Sequence, residues 1–173
     1  MDIVRDGIAL FEEPGFGLVE PRPLSPAEAL RETREYYDEW FESAQRFLAN
    51  ARENATRDWN KEAAFLLHQA TERFYHCLFL VRTLYSPKTH NLNQLRQLTE
   101  DIEPRLKSVW PRDTKSERRC YELLREAYVK ARYSRSYRIS GEQLEWLSTR
   151  VELLQAIVRE VSEERIAALA EAA

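Results

Sequence analysis

Apolar positions recur at helical spacing along almost the whole chain. Leu30, Tyr37, Phe41, Ala44 and Leu48 fall on one face of a run that holds neither Gly nor Pro, the pattern of an amphipathic helix. Ser25-Pro26-Ala27-Glu28 opens that run as a capping box with Pro at the first helical position. The Ser hydroxyl and the Glu carboxylate there take up backbone amides that have no partner within the helix. A first helix is therefore predicted to about Asn54. A second is expected from an Asp58 cap to about Tyr85, where Ser86-Pro87 stops it because Pro disfavours the α region in the residue before it. Cys77 to Val81 are apolar on every side, so this second helix should form the buried centre of a bundle. A short third helix follows Asn91 and ends near Asp101, before Pro104. Thr114-Lys115-Ser116-Glu117 is another capping box and opens a fourth helix to about Arg135. Ser140-Gly141-Glu142-Gln143 opens a fifth, which reaches into the Ala-rich tail. The predicted fold class is all-α: an up-and-down helical bundle of four long helices and one short one, over residues 25–173.

Residues 1–24 break this pattern. Ile3-Val4 and Ile8-Ala9-Leu10-Phe11 flank Asp6-Gly7, a hairpin turn signal. A lone two-stranded hairpin is marginal in water. The segment is expected to lie on the bundle, to pair with another chain, to be the remnant of a sheet from an upstream domain, or to be an extended arm.

Composition narrows the class. At 173 residues, 43% apolar and 32% charged, with four Gly and seven Pro, the chain can bury a core without disulfide or metal support and is neither disordered nor collagen-like. No apolar run approaches the roughly twenty residues of a membrane-spanning helix. Asp2, Arg5 and Asp6 interrupt the place where a secretory h-region would lie. Cys77 and Cys120 form no C-x-x-C pair and fall inside helical patterns, so buried thiols and a cytoplasmic location are expected. The net charge is −3, but Ser86–Arg138 holds thirteen basic against seven acidic residues. A basic middle on an acidic body can focus an anion, or it can be the surface of Arg-rich helices.

Three segments carry candidate chemistry. His68, Glu72 and His76 stand at i, i+4 and i+8 on the second helix and form one stripe. They lack the repeated Glu-x-x-His of di-iron bundles and any H-E-x-x-H, so a polar stripe at a helix–helix or subunit interface is expected and no metal. Tyr85-Ser86-Pro87-Lys88-Thr89-His90-Asn91-Leu92 places a Lys, hydroxyls, an imidazole and an amide just before a helix. Lys88, Thr89, His90 and Asn91 there suit an anion at the helix start, or His90 or Asn91 simply caps the helix. Around the end of the fourth helix, Arg132, Arg135 and Arg138 alternate with Tyr133, Tyr137 and two Ser. Arg forks bind phosphate bidentately and Tyr faces stack on bases. The same residues also suit a helix C-terminus.

Three ordered stretches, residues 63–73 (AAFLLHQATER), 85–92 (YSPKTHNL) and 127–133 (AYVKARY), together resemble the HEPN domain family over residues 25–165. The likeness is greatest to the branch found C-terminal to minimal nucleotidyltransferase domains and to the domain that closes sacsin. The resemblance implies an up-and-down helical bundle that usually dimerises and has a nucleotide- or RNA-related role; no cofactor is expected. It also offers an origin for residues 1–24 in a transferase domain that contains strands. Ribonucleases of the family carry Arg, four to six residues, then His at the end of the late helix. Here no His follows Arg132, Arg135 or Arg138, and Arg82 and His90 have seven residues between them and lie at the wrong helix end. An Arg cannot titrate near neutral pH to act as acid or base. The expectation is thus a dimeric module that holds a nucleotide or RNA phosphate between Lys88–Asn91 and Arg132–Arg138, serving a nucleotidyltransferase. The alternatives are a metal-independent, toxin-like ribonuclease using Arg132 with His90, or a purely structural interaction domain.

Overall fold

The computed structural model describes residues 22–173. They form α1 (Pro26–Thr56), α2 (Asn60–Thr83), α3 (Leu92–Ile102), a 3₁₀ turn (Pro104–Ser108), α4 (Lys115–Tyr133) and α5 (Gly141–Ala172). No strand occurs among these residues, so the fold is all-α as the periodicity predicts. The hairpin expected at residues 1–24 lies almost wholly outside the described residues.

The local start signals act as expected. Ser25, Thr114 and Ser140 each close a capping box, with Glu28, Glu117 and Gln143 returning the second bond. The start of α2 differs. Asp58 does not cap it; Trp59 holds the N-cap position and makes no side-chain cap bond. Asp58 instead adopts φ 59°, with its amide donating to the Ala55 carbonyl and the Trp59 amide donating to Asn54. That bond pair is the Schellman ending of a helix. The residue is used to terminate α1, and an Asp can do so because its short polar side chain tolerates the left-handed region.

The three-residue link Arg57–Trp59 makes the chain double back, and α2 packs against α1, α3, α4 and α5. It is the buried centre. Ala63, Ala64, Ala70, Phe74, Cys77 and Leu78 have no exposed surface. Small residues on both partners, Ala44 and Ala51 on α1 with Ala63, Ala64 and Ala70 on α2, let the two backbones approach closely. At the other end of the core Trp110 is 1% exposed; its Nε1–H donates to the Tyr75 hydroxyl at 2.7 Å and its ring packs 4.9 Å from Tyr121. Both cysteines are free and buried, and burial pushes the Cys77 thiol up to about 12.

Candidate functional site

The end of α2 sets up the site. Leu84 takes a left-handed conformation, φ 54°, one turn of chain before Ser86-Pro87, and Thr83 bonds the Tyr85 carbonyl. The chain therefore turns back along α2, and residues 86–90 face the stripe formed by Gln69, Glu72, Arg73 and His76. Trp40 from α1 and Tyr128 from α4 close the sides of a cleft of about 480 Å³.

Glu72 lies at its centre. Its carboxylate accepts a hydrogen bond from His90 Nδ1–H at 2.9 Å, and its second oxygen stands 3.5 Å from His68 Nε2. The other His68 nitrogen, Nδ1, donates to the Leu124 carbonyl at 3.0 Å. Neither His68 Nε2 nor Glu72 Oε2 has a hydrogen-bond partner among the described residues. The His68 and His90 rings both lie nearly parallel to Tyr128, at 5.3 and 5.8 Å. His76 meets Ser86 Oγ at 2.5 Å and its ring packs 5.6 Å from Trp40.

The expected site residues therefore separate. Lys88, Thr89 and His90 line the cleft. Asn91 does not: its Oδ1 accepts the Asn93 and Gln94 amides and caps α3. Arg132 reaches the site indirectly, with its guanidinium 4.5 Å over the Tyr128 ring, and it lines a neighbouring cleft with Lys61 and Phe65. Tyr133 is exposed on the end of α4. Arg135 and Arg138 are exposed in the loop before α5, where Arg138 donates to the Arg135 and Tyr137 carbonyls. Tyr137 is 3% exposed and its hydroxyl donates to the Leu123 carbonyl; it belongs to the core and offers no face to a base. Of the polar stripe, His68 lies buried between α2 and α4, whereas Glu72 and His76 open onto the cleft. Among the described residues no group of three His, Cys, Asp or Glu side chains is placed to hold a metal ion.

The sequence reading leaves out Trp40, Gln69, Arg73 and Tyr128. Arg73 lies over the faces of Trp40 and Phe47, at 5.1 and 5.4 Å, and has no carboxylate partner among the described residues. The buried Gln69 Nε2 also lacks a partner. A signal for both exists: residues 69, 72, 73 and 76 follow the i, i+3, i+4, i+7 rule for one helix face.

Acid should loosen this region. Burial, the strongest influence on His76, holds its imidazole below the ordinary range despite the nearby Glu72 carboxylate. Burial opposes ionisation of Glu72 too, but His68 and His90 together outweigh it and keep that carboxyl below its usual range. In both cases the unfolded chain binds protons at higher pH than the folded one, so stability falls as pH drops. The His76 contribution declines below about 6.5 and that of Glu72 below about 4.5. Melting curves from pH 7.5 to 4 should show a fall beginning below 6.5, and the first part of it should be absent in His76→Gln.

The three ordered stretches meet at this one cleft, and a family model, described as HEPN domain, matches residues 37–163. The chain belongs to the HEPN family. No curated protein matches it by sequence. The matched span holds every residue that lines the cleft, from Trp40 to Tyr128. No described helix is long and apolar enough to cross a membrane.

Proposed function

We propose that this HEPN domain binds a nucleotide or an RNA phosphate in the cleft between α2, the 86–90 loop and Tyr128. One observation carries the reading. Arg73 and Lys88 line the same cleft, neither has a hydrogen-bond or ion-pair partner among the described residues, and the cleft's one carboxylate, Glu72, is already engaged by His90. Two unpaired cations with an unpartnered Gln69 amide form a donor set for phosphate oxygens. Trp40 and Tyr128 add aromatic surface beside it, as nucleotide sites use. Membership in a family that is generally nucleotide- or RNA-related supports the same class of ligand. The domain would act as the accessory and dimerisation module of a nucleotidyltransferase system, with exposed Val129 and Tyr133 contributing to the dimer face.

Calorimetric titration with ATP at low salt, without and then with magnesium, tests this. Saturable binding is expected, and it should weaken as salt rises, because phosphate contacts release counterions. Absence of heat in both conditions would refute the reading. A second reading, metal-independent RNA cleavage, draws on the His90–Glu72 pair. The carboxylate orients an imidazole whose side chain is 68% exposed, an arrangement suited to a general base. RNA cleavage in EDTA that is lost in His90→Ala would favour it.

A further inference from the structure

A second cleft, sharing no residue with the first, lies between α3, the segment after the 3₁₀ turn and the N-terminal half of α4. Its volume is about 510 Å³. Four guanidinium groups line it, from Arg96, Arg112, Arg118 and Arg125, against two carboxylates, Glu100 and Glu122. Arg96 holds Glu100 through Nε at 2.5 Å, and Arg125 holds Glu122 at 2.6 Å. Arg118 donates only to backbone carbonyls, of Arg112 and Asp113. The Arg112 side chain makes no ion pair among the described residues. The cleft therefore keeps two positive charges that no carboxylate among the described residues neutralises.

Arg96 makes this more than a basic surface. It is 4% exposed, with its guanidinium 5.1 Å over the Tyr121 ring and its Nη2 donating to the Trp110 carbonyl at 3.0 Å. The third nitrogen, Nη1, is buried without any partner. A buried donor left unmade is costly, and the bonds at Nε and Nη2 hold Nη1 in one place as a donor.

We propose that this cleft is a binding site for a phosphate dianion. Two uncompensated charges match a phosphomonoester or inorganic phosphate better than a carboxylate or a single phosphodiester. Tyr121 is 7% exposed and covered by Arg96 and Trp110, so the cleft offers no open ring on which a base could stack. Recognition is of the phosphoryl group, carried by a free small molecule or by the end of a longer chain.

The test is calorimetry with inorganic phosphate at constant ionic strength on the full chain carrying Arg73→Gln, which removes a cation from the first cleft, with and without Arg112→Gln. Arg112 is exposed and bonds nothing through its side chain, so its replacement leaves the fold alone. Saturable binding is expected to remain in Arg73→Gln, and to be about tenfold weaker once Arg112→Gln is added, as for one charge-assisted bond lost. A 5′-phosphorylated oligonucleotide compared with its dephosphorylated twin separates the two sources. A phosphate-dependent gain that is sensitive to Arg112 assigns the end of a chain; equal binding of the twins with phosphate still bound assigns a small molecule. No binding by either probe in the Arg73→Gln chain, or binding there that is indifferent to Arg112→Gln, would overturn the proposal. Because the first cleft is tested with ATP and Arg73, failure of one site does not imply failure of the other.

Discussion

Replacing Arg73 and Lys88 together by glutamine should reduce ATP affinity about a hundredfold or more, while each single change costs about tenfold. Each cation supplies charge-assisted hydrogen bonds that contribute about 1.5–3 kcal/mol, and 1.4 kcal/mol is a factor of ten in affinity. The two sit on separate elements, Arg73 on α2 and Lys88 on the following loop, so their effects should combine with little loss unless both hold one phosphate. Glutamine keeps part of the Arg73 stem against Trp40 and Phe47, so the helical signal and melting temperature should stay near wild type. Unchanged affinity in the double variant would remove the phosphate assignment from this cleft. Loss in Arg73→Gln alone would place the ligand toward α1 and Trp40. Loss in Lys88→Gln alone would place it toward the loop mouth.

What the sequence discloses and what it hides follow from the range of the interactions. Three of the long helices begin at capping boxes, and each box involves residues only three apart, so α1, α4 and α5 start where expected. Asp58 shows the limit of such local signals. The same side chain can start one helix or terminate the previous one, and the choice depends on whether α1 reaches Thr56. The sequence marks the loop 86–90 as a candidate site, yet not the partners it faces. Which α2 residues face it depends on the turn at Leu84, a non-glycine residue in a left-handed conformation that no local preference announces. Tyr133 and Tyr137 look equivalent in the Arg-rich run. They separate because Tyr137 finds a buried acceptor at the Leu123 carbonyl, a contact set by how the α4–α5 loop folds onto the core. Trp40 enters the cleft from a helix distant in sequence, which periodicity alone cannot place.

The largest loss of stability is expected for Trp110→Ala. The indole is almost wholly buried, and removing it leaves a cavity between α2, α4 and α5, for which comparable substitutions cost about 3–5 kcal/mol. The Tyr75 hydroxyl, 2.7 Å from Nε1 and equally buried, would also lose its partner. For a domain of this size the melting temperature should fall by roughly 10–15 °C. Trp110→Phe divides the effect. It retains most of the ring and removes only the N–H, so a smaller loss of about 1–2 kcal/mol is expected, seen as a fall of a few degrees. If both variants destabilise equally, the Trp110–Tyr75 hydrogen bond outweighs the packing, and the shape of this end of the core is secondary. The result bears on the second cleft as well. Trp110 backs the Tyr121 ring on which Arg96 rests, and its carbonyl holds Arg96 Nη2. A chain that survives Trp110→Phe with phosphate affinity intact would show that the backbone carbonyl, rather than the indole, positions that guanidinium.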